Sequence, residues 1–203
     1  MGIQRVFCSQ VDHQKLLQPR SNLFQELISE CDIIRRQDRQ GVEWSKTHYP
    51  NGYTSYGSMD RLHELSPHFG ELGKKIEKRV NNYVKSLGLK LKQGDLRLTR
   101  MWMNVMGKGC SHPFHIHPLS VVSGTFYLKT PEGSAPIKFE DPRFANFMNR
   151  PEVNRSSALE LKPFVEIKPR PGDLVLFESW MKHEVPVNLR AVERQSISFN
   201  FDW

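Results

Sequence analysis

A mainly β domain led by helices, an α+β chain built as a double-stranded β-helix (a double-sheet jelly roll, cupin-like), is what the sequence predicts. Three observations carry the prediction. Residues 96–202 break into short apolar or alternating runs divided by turn signals, as strands do. The residues before 96 hold two amphipathic stretches of helical period. Among the strands lies the run Cys110-Ser-His-Pro-Phe-His-Ile-His-Pro118, answered downstream by His183 and Arg194-Gln-Ser196.

The first helix is expected over 21–37. Ser21 or Asn22 can cap it, and Leu23, Leu27, Ile28, Cys31 and Ile34 recur on one face. The second runs from Pro67 to Leu87, with Phe69, Leu72, Ile76, Val80, Tyr83, Val84 and Leu87 along one stripe, lysines opposite and Gly88 as terminator. Between them, 41–60 holds glycines, Pro50 and the aromatics Trp44, Tyr49, Tyr53 and Tyr56, which predicts a loop or short hairpin. It could cover a site or simply connect the helices. Strands are expected at 96–106, 119–129, 137–140, 164–167, 173–177, 183–187 and 195–202, separated by turns such as Gly107-Lys-Gly109 and Pro169-Arg-Pro-Gly-Asp173. The polar stretch 141–161 reads as a rim loop.

The length of 203 residues suits one domain, with 1–95 as helices and loops packed on a jelly-roll core at 96–203. Net charge is +7: residues 1–100 carry 17 basic and 11 acidic side chains, residues 101–203 carry 12 and 11. Most of the excess lies between Lys74 and Arg100. A solvated helix face explains it, and attraction to an acidic substrate or to nucleic acid is the other reading. Cys8, Cys31 and Cys110 are three in number and widely spaced, which fits a reducing compartment. With no apolar signal core at the N-terminus and no stretch long enough to span a membrane, a soluble cytoplasmic protein is expected. The sequon at Asn154-Arg-Ser156 is then incidental.

Alternate strand residues share a face, so a strand through 115–117 would aim His115 and His117 at one point, with Ile116 packed behind. His183, from a distant strand, could complete a facial set of three nitrogen ligands and leave positions open for other groups. His112 is not needed for that set and is expected beside or outside it. Arg194, Ser196, Ser198 and Asn200 alternate with apolar neighbours and must share a second polar face. A guanidinium pointing into an apolar barrel needs an anion, and a small acid's carboxylate is the natural partner for its planar fork. Ser196 can add a donor. Tyr127, on one alternation with Ser123 and Thr125, could add another, and Asn104 could hydrogen-bond the same ligand.

These residues resemble the iron(II)- and 2-oxoglutarate-dependent oxygenases. The prolyl-hydroxylase-like branch shares Thr125-Phe-Tyr-Leu128, His183-Glu-Val and a strand opening on Arg194 and ending Phe201-Asp202. Closer still is a family of such oxygenases in bacteria and phages, through His115-x-His117-Pro, Ser123-Gly124, Phe139-x-Asp141-Pro-Arg143 and Arg194-x-Ser-x-Ser-x-Asn200. The resemblance covers about residues 99–202 and implies a jelly-roll hydroxylase in which Fe(II) and 2-oxoglutarate act with dioxygen on an unidentified substrate, a small molecule or a peptide side chain. It implies His115, His117 and His183 as metal ligands, with Arg194, Ser196 and Tyr127 anchoring the oxo acid, helped by Asn104 and Asn200. The pattern of the wider oxygenase superfamily is His-x-Asp/Glu, yet no histidine in this chain is followed two residues later by a carboxylate, and His117 stands in that place. Two further readings stay open: a cupin-like three-histidine dioxygenase that does not use 2-oxoglutarate, and a noncatalytic jelly-roll binding module.

Overall fold

Among the described residues, ten strands form two antiparallel sheets that face each other across the site, and helices cover the outer side of the larger sheet. A computed structural model describes residues 2–92 and 94–203. The chain runs β1 (Val11–Lys15), α1 (Asn22–Gln37), α2 (Arg39–His48), β2 (Gly52–Thr54), α3 (Leu62–Leu65), α4 (Pro67–Ser86), β3 (Arg97–Met106), β4 (His112–His115), β5 (Val122–Lys129), β6 (Ile137–Glu140), β7 (Phe164–Ile167), β8 (Asp173–Glu178), β9 (His183–Val185) and β10 (Arg194–Asp202). The large sheet has the order β1-β8-β5-β10-β3-β2 and the small one β4-β9-β6-β7. The jelly roll the sequence predicts is the fold observed.

Period-2 alternation explains how the large sheet is buried on both sides. Met101, Met103 and Val105 of β3, with Ile197, Phe199 and Phe201 of β10, join the helical residues Phe24, Leu27, Phe69, Leu72 and Ile76 in the main core. The intervening residues of the same strands face the small sheet. There a second, smaller core holds Tyr127, Ile137, Phe139, Val175, Phe177 and Met181. Gly124 of β5 lets the main core pack closely, since a Cβ there would lie 2.5 Å from the Phe199 ring and 2.6 Å from the Val175 carbonyl oxygen.

Helix α4 begins as the sequence predicts. Pro67 takes the first turn, and Ser66 Oγ accepts from the backbone N–H of Phe69 at 3.2 Å. Its apolar stripe is buried, while Lys74, Lys75, Lys78 and Lys85 are exposed on the other side. The segment 41–60 departs from expectation, because it holds most of α2 and all of β2 rather than a free loop. The cause is buried Asp38, whose carboxylate accepts from Gly41 N–H at 2.8 Å, capping α2, and from Tyr53 O–H at 2.8 Å. Gly41 is therefore a packing requirement, since a Cβ there would fall 2.0 Å from Asp38 Oδ2. Strands β1 and β2 are a second departure: the first pairs with β8 and the other with β3, so the N-terminal half supplies both edges of the large sheet. Among the described residues no helix is long and apolar enough to cross a membrane.

Candidate metal centre

Strand β4 brings the first histidine in, and the pairing His115↔His183 places β4 and β9 side by side. The strand ends at His115, so His117 reaches the site from the turn beyond it, where its N–H donates to the Ser179 carbonyl at 2.9 Å. Ile116 is exposed and does not pack behind the histidines. One ligand nitrogen each from His115, His117 and His183 lies within 4.8 Å of the other two. Among the described residues this is the one cluster with metal-ligand geometry, and no carboxylate joins it.

The rings are held in matching fashion. His115 Nδ1 lies 2.8 Å from the carbonyl oxygen of Pro113, and His183 Nδ1 lies 2.8 Å from that of Met181. A carbonyl can only accept, so each Nδ1 carries the proton and each Nε2 keeps its lone pair for a metal. His183 also packs against Phe177 and Phe139, with centroids at 4.5 and 5.9 Å. Burial, and then the crowding of imidazoles, pushes His183 down to about 2. The same causes push His117 to about 4, and burial lowers His115. All three imidazoles are thus neutral at physiological pH, the state in which a ring nitrogen can bind a metal. This donor set fits a divalent ion such as Fe(II), whose two positive charges the neutral imidazoles leave uncompensated.

Across the cavity Arg194 opens β10, opposite Met106 of β3. It is 2% exposed, and its Nη1 makes only long contacts, 3.5 Å each, to Met106 Sδ and Ser196 Oγ. Its Nε is buried with no hydrogen-bond partner, and so is the hydroxyl of Tyr127. Among the described residues no carboxylate forms an ion pair with Arg194. A buried cation and a buried hydroxyl without partners are each costly, and together they form a cradle shaped for a carboxylate.

The structure brings most of the sequence-predicted residues together. The cavity is lined by His115, His117, His183, Arg194, Ser196, Tyr127 and Asn104. Asn104 is already engaged, accepting from Thr54 Oγ1 at 2.8 Å and donating to Ser198 Oγ at 3.1 Å. Asn200 lies outside this lining, where its Oδ1 accepts from Ser123 Oγ at 2.9 Å. The motif Asp141-Pro-Arg143 is also separate: the Arg143 guanidinium binds the Asp141 carboxylate through two contacts of 2.9 and 2.7 Å at the base of the rim loop. Trp102 and Met106 also line the cavity and were not singled out from sequence. Alternation with Asn104 along β3 could have found Trp102 and Met106. Tyr49 lines it too, from the 41–60 segment whose aromatics the sequence offered as a possible cover.

Fold and donor set together define a metal-dependent jelly-roll enzyme. Residues 100–200, about half of the chain, match the family described as "Putative 2OG-Fe(II) oxygenase", and the chain belongs to that family. It is a 2-oxoglutarate-dependent oxygenase. Solved structures agree on the fold. A Pseudomonas putida prolyl-4-hydroxylase is 15% identical, with 96% of this chain and 92% of that one covered and a TM-score of 0.59. The α-ketoglutarate-dependent epimerase SnoN of nogalamycin biosynthesis is 14% identical over 96% and 76%, with a TM-score of 0.68. HygX of Streptomyces hygroscopicus, solved with nickel, 2-oxoglutarate and hygromycin B, is 13% identical over 96% and 83%, with a TM-score of 0.62. No curated protein sequence matches the chain.

Proposed function

We propose that the protein hydroxylates an organic substrate, so that R–H, dioxygen and 2-oxoglutarate give R–OH, succinate and carbon dioxide. His115, His117 and His183 would hold Fe(II). When bound, iron and the oxo acid together supply the activation of dioxygen, and the chain supplies placement and a dry cavity. Arg194 takes the distal carboxylate of 2-oxoglutarate on its planar fork, with Tyr127 O–H and Ser196 O–H as further donors. Asn104 keeps Ser198 in place along the same wall, and Ser123 Oγ links Asn200 to Ser179 one layer away.

The observation that carries this reading is the buried, unpaired guanidinium of Arg194 beside the unpartnered Tyr127 hydroxyl. Three histidines alone would serve a dioxygenase that uses no oxo acid equally well. The cradle across the cavity favours a dicarboxylate that reaches from metal to arginine. The charge argument agrees, since neutral ligands leave the metal's two charges uncompensated and Arg194 adds a third, against the two negative charges of 2-oxoglutarate. The substrate is a small molecule or an exposed side chain, and fold similarity to proteins as different as a prolyl hydroxylase and an epimerase does not choose between them. Residues 1–203 would act as one unit, with 1–95 buttressing 96–203, which is supported by the pairing of β1 and β2 into the large sheet. A cytoplasmic setting is supported by three free cysteines, two of them buried.

The test is anaerobic titration of the metal-free protein with Fe(II) and then 2-oxoglutarate. The expected result is about one iron per chain, a weak visible charge-transfer band on adding the oxo acid, and slow succinate formation on admitting air. Iron-loaded protein with no spectral or calorimetric response to 2-oxoglutarate would remove the cosubstrate from this proposal.

A further inference from the structure

A fourth imidazole, His112, lines the same cavity, and a defect in strand pairing puts it there. On β9, Val185 and His183 are two apart and both face the cavity. Their partners on β4, His112 and His115, are three apart, with a register shift between them. In a regular strand, residues three apart point to opposite sides. The extra residue of the bulge cancels that half-turn, so His112 faces inward with His115, as bulges beside active sites commonly re-aim a side chain.

The environment of the ring gives this placement a use. It stacks on His115 with centroids 4.1 Å apart and planes 24° apart, and it meets the edge of Tyr49 at 5.8 Å. Among the described residues neither of its nitrogens has a hydrogen-bond partner, and in any protonation state an imidazole carries at least one N–H. Resting on the proposed function of this cavity, we propose that His112 is a cosubstrate-binding residue, its ring N–H donating to an oxygen of the 2-oxo acid held between the metal and Arg194. The bulge would then serve two contacts at once, since Pro113, within it, also accepts the Nδ1–H of His115.

The test compares His112→Phe, which keeps a flat ring against His115 but loses both nitrogens, with His112→Asn, which keeps a donor without the stack. Protein loaded with Co(II) is titrated calorimetrically with 2-oxoglutarate, after Co(II) affinity has been measured separately. The proposal expects unchanged Co(II) affinity in the phenylalanine variant, 2-oxoglutarate binding weakened by about 3- to 10-fold, the size of one net hydrogen bond, and partial recovery in the asparagine variant. Unchanged 2-oxoglutarate affinity in the phenylalanine variant would overturn it. So would a loss of Co(II) affinity in the asparagine variant with oxo-acid binding intact, because His112 would then act only as a prop for His115. If the parent protein binds Co(II) but not 2-oxoglutarate, the functional reading falls first and this inference with it.

Discussion

The guanidinium carbon of Arg194 lies 5.0 Å from the centre of the Tyr127 ring. The two residues are buried on adjacent strands, where Ser196 of β10 pairs with Tyr127 of β5, and each has a polar atom without a partner. The contact of cation and ring face steadies the arginine but leaves its fork free, as an anion site requires. Arg194→Ala should leave metal binding nearly intact and weaken 2-oxoglutarate by about 2–5 kcal/mol, the range for a lost buried charge contact. Arg194→Lys should recover only part of this, because an ammonium has no planar fork. Calorimetric titration of metal-loaded protein checks both, and equal affinity in parent and alanine variant would remove Arg194 from the site.

Tyr127 offers a sharper test, since among the described residues its hydroxyl has no hydrogen-bond partner. Burial raises its pKa and Arg194 pulls the other way, so the hydroxyl keeps its proton and can donate. Tyr127→Phe should cost no stability without cosubstrate, and thermal melting should show equal or slightly higher stability, because a buried unsatisfied group has been removed. The same variant should bind 2-oxoglutarate about 3- to 10-fold more weakly, the equivalent of one net hydrogen bond. Lower stability with unchanged affinity would mean that the hydroxyl has a structural partner instead.

Acid sensitivity follows from the buried imidazoles. His183 is pushed down to about 2, His112 to about 3 and His117 to about 4, first by burial and then by one another, whereas an unfolded histidine titrates near 6.5. Between those values the unfolded chain binds protons that the folded one refuses. The stabilisation is therefore complete above about pH 6.5 and is lost progressively as pH falls from there to the folded values, from about 4 for His117 to about 2 for His183. The melting temperature of metal-free protein should drop steeply between about pH 6.5 and about pH 4, and bound metal should raise the curve there without changing its slope, because the folded imidazoles carry no protons for it to displace. Metal affinity itself should change little from about pH 7.5 to pH 5.5, since the ligands are already neutral. A tenfold loss over that interval would show that they are not.

Much of this site was legible in the sequence because period-2 alternation is a local rule. Arg194, Ser196 and Ser198 line the cavity together as their spacing requires, and His183 pairs with His115 although the two are 68 residues apart. The rule failed where the backbone was irregular. His117 lies past the end of β4 and is positioned by the Ser179 carbonyl, and His112 faces inward only because of the bulge. Neither feature has a composition signal. The 41–60 segment failed for another reason: its glycines suggested turns, whereas Gly41 is required by the Asp38 cap, a contact that exists only once the chain has folded.

The absence of a carboxylate ligand can be tested at His117 by comparing alanine with aspartate. If His117 is the third ligand, His117→Ala should open a coordination position and lower Fe(II) affinity by on the order of 10- to 100-fold, the scale found even when groups supporting a ligand are removed. His117→Asp should keep the metal, since it puts a carboxylate at the same place and adds a negative charge to a donor set that has none. Activity need not return with it. Aspartate is shorter than histidine, and the ring it replaces sits 6.0 Å from Trp102 and 5.2 Å from His183, so the cavity is shaped around an imidazole. Iron affinity measured anaerobically in both variants is the deciding quantity. Should the alanine variant bind iron like the parent, His117 is no ligand; His112, stacked against His115, would then be the imidazole to test next.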